Sequence, residues 1–486
     1  MKTFHTDTIQ QQDPGGRLYN PDLAPIEPTA RRWGWFAIFN TWCNTAQSLL
    51  GYTLAASLFF DYGLNGWAVF AAIVLSGFVI MFLINLAGRP SVHYGIPYPV
   101  MARASMGVYG ANIPALMRGI VAIFWYGAQS YVASTATLLL LTALFGEGTK
   151  ATYLGLTPMG WVALAIVCVT QIVLFWKGIE WIRMFLNWAG PAVYAVMVTL
   201  LIMIWVRTGS SLPSEVGSVL KGNPQATGSH VSNFFAVMGT MIAFYAAIIL
   251  NYGDFSRYVR TEREMKLGNM LGLPVNITVF AFLSLLISAG TIALFGEHLT
   301  NPTEIISRID NTALTVVAAL MFFIATVGIN VVANYVPPAN DLSNLWPGRI
   351  SFRGGGMIAA ALAFVVSALW VPVISVFGIS KFVNTLGAFL APAYGIMIAD
   401  FYLLRRQTLS VQDLYSPSSA GAYHYRKGFH VEAIAALAIS SVFSVSAVWL
   451  PALGFLSGFD WIISAGLGAV LYLLLSKHGA AKWAET

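Results

Sequence analysis

Twelve apolar runs, each long enough to cross a bilayer as a helix, constrain this chain more than any other feature. A hydrocarbon core of about 30 Å takes about 20 apolar residues in helical form. Windows of that kind fall at 34–58, 66–88, 112–145, 158–176, 185–206, 233–252, 271–294, 313–335, 356–379, 382–404, 431–450 and 455–476. The runs are continuous rather than alternating, which excludes a membrane β-barrel. Only 9 % of residues are charged, against about 25 % in a typical soluble domain. A chain so poor in charge cannot clothe a soluble surface, so a cytosolic enzyme and a disordered regulator are excluded. Cys43 and Cys168 both lie inside apolar runs, so no disulfide framework or metal spacing exists. The sequence therefore predicts an all-α polytopic membrane protein.

The net charge of +6 does not point to nucleic acid. With the N-terminus inside, 20 Lys and Arg fall in inner segments and 5 in outer ones, leaving Arg118 near the start of the third run. That bias is an orientation signal and places both termini in the cytoplasm of a cell (inner) membrane protein. The polar stretch Met1–Arg32 has no apolar region of a cleavable signal. The longest loops, 207–232 and 405–430, carry no phosphate-binding glycine pattern.

In hydrocarbon every polar group needs a reason. The first run holds Asn40, Thr41, Asn44, Thr45, Gln47 and Ser48 before Gly51, and reads as a helix interrupted mid-membrane that lines a cavity. The third places Trp125 and Gln129 at i, i+4 on one helix face, an apolar ring beside an amide, which suits a planar heterocycle. The sixth carries Phe244 and Tyr245 after Gly239, a second place where a break is permitted. The eighth carries Asn330 and Asn334, again at i, i+4. Interhelical packing is the competing explanation for each. The polar runs one and six, and three and eight, lie five apart, as an inverted five-plus-five repeat produces. No Asp or Glu falls mid-run on these boundaries, Asp254 and Asp400 lying at inner ends, so a buried proton carrier is not visible. An enzyme would need titratable groups in the cavity, and a channel a continuous polar path. Neither pattern is present.

These residues carry a resemblance to the nucleobase–cation symporter family 1, the uracil, allantoin, cytosine and hydantoin transporters. It extends over nearly the whole chain. Asn20-Pro21-Asp22-Leu23-Ala24-Pro25 with Arg32-Trp33-Gly34, the Trp125/Gln129 and Asn330/Asn334 pairs, Pro392 to Tyr402, and Asp413-Leu414-Tyr415 all look like family motifs. The resemblance implies a LeuT-like fold. That gives a cytoplasmic segment 1–33, a first five-helix repeat 34–206, an extracellular loop 207–232, a second repeat 233–404, a cytoplasmic loop 405–430, two accessory helices 431–476 and a tail 477–486. It implies that Trp125 and Tyr245, with Phe244 beside them, sandwich a planar ligand. Gln129 and Asn330 would bind its imide edge, Asn334 would lie adjacent, Ser48 would contact ligand, and Thr385 would gate the outer side.

The implied activity is secondary active import of such a ring by alternating access. Uracil comes first, then allantoin, hydantoin and dihydropyrimidines, with an amino-acid or other small-solute carrier on the same fold as the alternative. The implied partners are the ring and the lipid bilayer, with no cofactor. The family's sodium site would use carbonyls of Asn44, Gln47 and Ala325 and two hydroxyls of the eighth run, but those hydroxyl positions read Gly328-Ile329. Sodium-independent transport is expected, with proton coupling as the family's other mode.

Overall fold

The computed structural model describes residues 13, 17–222, 230–309, 311–456 and 458–476. The expected tail 477–486, most of the first sixteen residues and the centre of the outer loop lie outside them, with Lys2, Lys477 and Lys482. Among the described residues nine helices are long and apolar enough to cross a membrane, and a tenth span is a pair, Phe352–Ala368 and Trp370–Phe377, bent by 60°. The first span is split into Trp35–Ala46 and Leu49–Asp61, and the last is the short helix Asp460–Leu475. Taken in chain order these elements are consistent with twelve spans. Large apolar side chains such as Trp67, Phe82, Trp188 and Val206 are exposed on the flanks, as a lipid-facing surface requires. The protein is a multi-pass membrane protein.

The break in the first span falls where the polar cluster predicts it. Ser48 leaves helical geometry (φ −59°, ψ 150°) and caps the second half, its Oγ accepting from Gly51 N at 3.1 Å. The second half is also held from the eighth span, where Thr326 Oγ1 accepts from Leu49 N at 3.2 Å. The sixth span behaves differently. His230–Asn251 runs unbroken past Phe244 and Tyr245, so the permitted break is not used there. Between Thr240 and Asn251 no proline removes an N–H and no side-chain oxygen is placed to take one over, so the helix keeps its ladder. Gly378, at φ +79°, ends the ninth span before Ile379 opens the tenth.

The eighth span departs most from its expected bounds. It continues through a π turn, Val331–Tyr335, into a helix Val336–Leu345 that opens on Pro337-Pro338. Proline is tolerated in a first helical turn, so the apparent stop signal ends nothing. The third span (Asn112–Phe145) packs chiefly against the eighth and also against the fourth and ninth, while the second (Gly66–Tyr94) packs against the sixth and seventh. One face of the bundle, here called basal, is stitched by the N-terminal segment. Asn20 Nδ2 donates to Pro347 O and Ile350 O, Trp33 N to Tyr258 O, and Tyr415 OH to Leu23 O. Arg103, fully buried there, donates to Leu414 O, Leu18 O and Asn344 Oδ1. Burial pulls its guanidinium down to about 10, opposed by the nearby Tyr415 and Asp13. The motif residues 20–25 and 32–34 thus close the basal face.

Candidate functional site

The third span carries the aromatic and amide pair on one side, as its i, i+4 spacing requires. Trp125 is nearly buried. It meets Phe244 edge-on, ring centroids 5.4 Å apart at 89°, and Phe382 of the tenth span at 5.5 Å and 68°. Trp370 closes the group, 5.2 Å from Phe382. The ring that meets Trp125 from the sixth span is Phe244 rather than Tyr245. Neighbouring residues on a helix are turned by about 100°, and that turn sends Tyr245 towards Trp42 of the first span, 6.2 Å away. Phe244 and Tyr245 both line a small cavity with Ala46, Gly51 and Phe280. It holds about 10 Å³, room for one water at most.

Gln129 reaches the break in the first span. Its Nε2 donates to Ser48 Oγ at 3.3 Å, while its Oε1 is buried with no hydrogen-bond partner. Asn330 is committed to the protein. Its Nδ2 donates to Tyr126 O and Ser130 Oγ, both at 3.1 Å, and its Oδ1 accepts from Asn334 Nδ2 at 3.0 Å. Asn330 has no exposure and Asn334 has 6 %, so Asn334 is the end of the pair nearer free space. Asn334 also sits inside the π turn, a distortion often found at functional positions. Thr385 lies apart from the aromatic group, its hydroxyl donating to Lys381 O at 2.7 Å and accepting from Trp449 Nε1 at 3.1 Å.

In the corner expected to hold sodium, Asn44 Oδ1 and Gln47 Oε1 are buried without a hydrogen-bond partner. Asn44 Nδ2 donates to Asn40 O and Leu186 O, and Gln47 is buried close to Tyr194. A Cβ on Gly328 would stand 2.7 Å from Phe185 Cε1 and 3.1 Å from Leu186 Cδ2. Ala325 and Ile329 are buried beside it. Positions 328 and 329 carry no side-chain oxygen, and a phenyl ring lies against Gly328.

A buried charged group on the basal side was not legible as a site. Arg118 has no exposure. Its Nε donates to Ala247 O at 3.1 Å, and one terminal nitrogen donates to Asn251 Oδ1 at 3.1 Å and Ala333 O at 3.0 Å. Ala333 O is available because the residues that would bond it four and five positions on are Pro337 and Pro338, which lack an N–H. Asp254 accepts from Tyr98 N and Asn251 Nδ2, both at 2.9 Å. Asp341 is equally buried. It lies near the end of the eighth span, which runs to Leu345 rather than stopping at 335. The paired prolines were the available signal, since they free a carbonyl that some donor must take.

The family model for permeases of cytosine/purines, uracil, thiamine and allantoin matches residues 25–466. The allantoin permease of Bacillus subtilis is 32 % identical over 474 residues, covering 96 % of this chain and 95 % of that one. The purine-uracil permease of Arabidopsis thaliana is 30 % identical over 431 residues, covering 88 % and 70 %. Among solved structures, Mhp1 in a closed conformation with bromovinylhydantoin bound superposes with a TM-score of 0.77 at 21 % identity, covering 95 % of this chain and 96 % of that one. That likeness establishes the LeuT-type fold, and the family match makes the chain a permease rather than an enzyme. With a family model spanning most of its length, the chain belongs to the nucleobase–cation symporter 1 family of membrane transporters.

Proposed function

We propose that this permease imports a small planar cyclic amide by alternating access, without sodium, across a membrane whose cytoplasmic side is the basal face. The observation that carries the reading is Gln129 Oε1, an acceptor buried without a partner one helical turn from Trp125. A buried orphan acceptor costs about 1–3 kcal/mol, and a ring N–H would satisfy it. Phe244 swings from edge-on to parallel, opening a slot against Trp125 of about 7 Å, twice an aromatic contact distance. Asn334, held by Asn330, meets the other edge of the ring. Tyr245 lines the wall rather than the slot. Thr385 belongs to the tenth-span lid, where Phe382 makes the contact with Trp125.

The resemblance of the opening motif and the third-span pair to the uracil and allantoin branch puts uracil first. The allantoin permease relative, similar over nearly its full length, moves allantoin beside it. Uptake of labelled uracil and allantoin into cells lacking their own carriers, with hydantoin, cytosine and dihydrouracil as competitors, decides the order. Gln129→Ala is expected to weaken ring binding by about 1–3 kcal/mol, and an unchanged affinity in a direct titration removes Gln129 from the site.

Sodium independence rests on the absent hydroxyls at 328 and 329 and on Phe185 lying against Gly328. The pair Gly328→Ser, Ile329→Thr is expected to lower folded yield without creating sodium-stimulated uptake, because the new Cβ meets Phe185 before any hydroxyl reaches an ion. Wild-type uptake that rises when sodium replaces choline in the medium contradicts this.

A further inference from the structure

A cavity of about 360 Å³ opens at the end of the bundle opposite the basal face, where the tenth, eleventh and twelfth spans meet. That volume lies in the range of small-ligand sites, about 300–1,000 Å³. Lys381 and Asn384, three positions apart on the tenth span (Ile379–Ala399), form one wall. Trp449 and Leu450 line it from the end of the eleventh (Val431–Trp449), and Asp460 from the start of the twelfth. Lys381 is exposed, whereas Asp460 is only 8 % exposed. Among the described residues neither charge has an ion-pair partner, although both line the same space. Lys381 Nζ instead stands over the Trp449 ring, 4.1 Å from its centroid. A cation over a ring face keeps its N–H donors for a further partner. The indole is itself fixed, its Nε1 donating to Thr385 Oγ1 at 3.1 Å and its ring edge-on to Phe377. Asp460 opens a helix, where the aligned backbone dipoles favour a carboxylate. The cavity thus has a cationic pole on the tenth span and an anionic pole on the twelfth.

A lone Lys and Trp at a span end are ordinary interfacial anchors. Anchoring does not account for a nearly buried carboxylate across a cavity from them. The surroundings say which medium the cavity meets. Ile439, Val442 and Trp449, three and ten positions along the eleventh span, are exposed on one helix face, and Phe455 is exposed beyond them. This apolar strip runs up to the cavity rim from the depth of the hydrocarbon, and the cavity lies where the spans end, at headgroup level.

We propose that this cavity binds the headgroup of a zwitterionic phospholipid with a primary ammonium, of the ethanolamine kind. Its phosphate lies on Lys381 Nζ and the Asn384 amide, its ammonium on the Asp460 carboxylate, and an acyl chain along Ile439 and Val442. The charges select the headgroup. A glycerol headgroup brings no cation to Asp460, and a choline brings one without an N–H to donate. A soluble zwitterion of the same chemistry matches the two poles but not the apolar strip. The bound lipid ties the tenth span to the eleventh and twelfth through two charges that have no ion-pair partner in the protein. Headgroup binding is separate from the ring site and independent of which ring is carried.

The test uses purified full-length protein, stripped of lipid in detergent micelles and titrated with dioleoyl lipids carrying ethanolamine, choline or glycerol headgroups. Retained lipid is counted by native mass spectrometry. The wild type is expected to hold the ethanolamine lipid about fivefold more tightly than the glycerol lipid, and Lys381→Gln to weaken the ethanolamine lipid by about fivefold, the effect of one basic side chain on a lipid phosphate. Asp460→Asn keeps the phosphate contact and loses the preference, so that the two lipids bind alike. If the asparagine form does not fold, the wild-type preference and the exposed Lys381 variant decide the matter. Equal retention of all three lipids by the wild type, or ethanolamine-lipid retention unchanged in Lys381→Gln, overturns the proposal. Glycerophosphoethanolamine, the headgroup without chains, is the soluble competitor. Its failure to displace the lipid at equal concentration supports a lipid site, and full displacement assigns the cavity to a soluble zwitterion and overturns it. Displacement by uracil or allantoin makes the cavity a second ring site and overturns it equally.

Discussion

Replacing Arg118 with alanine is expected to cost about 3–5 kcal/mol, the usual penalty for removing one partner from a buried charged group. Three hydrogen bonds between spans disappear together, and each leaves a buried acceptor on the sixth or eighth span. Asp254 and Asp341 also lose a guanidinium they both face. Arg118 has no exposure to solvent, so each acceptor it leaves is desolvated without a replacement partner. Thermal unfolding of the purified variant checks this. Adding Asp341→Asn to Arg118→Ala is expected to recover part of the stability, because one unpaired carboxylate is then removed. A melting curve for Arg118→Ala that matches wild type would show that the guanidinium is not holding the spans together.

Trp125→Leu is expected to weaken ring binding by about 10- to 100-fold, since stacking a planar ring on an aromatic face contributes about 1–3 kcal/mol. Leucine rather than alanine is the informative choice. Trp125 packs against Phe244 and Phe382, and an alanine there opens a cavity costing about 3–5 kcal/mol, which mixes loss of folding with loss of binding. Leucine keeps part of the volume and removes the π face. Equilibrium binding of labelled ring to purified protein measures the effect. Phe244→Leu is expected to act in the same direction, and Tyr245→Phe to act weakly, because the Tyr245 ring faces Trp42. A larger loss at Tyr245 than at Phe244 would restore the pairing that the sequence suggests.

The fold was legible wherever a physical requirement is written locally. Helix-length apolar runs reported the spans, and six polar side chains before Gly51 reported the break at Gln47-Ser48, because freed backbone groups in hydrocarbon need partners close by. Helical spacing anticipated that Asn334 reaches Asn330. What it did not convey was rotation between helices. Whether Phe244 or Tyr245 faces Trp125 depends on how the sixth span is turned against the third, and a 100° difference has no local signature where both neighbours are aromatic. The length of the eighth span was hidden for a different reason. Pro337-Pro338 reads as a stop, and only the π turn before it and Arg118 across from it allow the helix to continue to Leu345. Arg118 and Asp341 went unrecognised as a pair because they are more than 200 positions apart. A bilayer span is nevertheless where an isolated charge most needs a named partner.

Uptake of labelled allantoin and uracil in sodium-free medium, by cells without carriers of their own, tests the central claim most directly. Saturable uptake of one of them that is unaffected by adding sodium and is weakened in Gln129→Ala is the result this site predicts. Uptake of neither ring, with or without sodium, while the protein is present in the membrane, would contradict it.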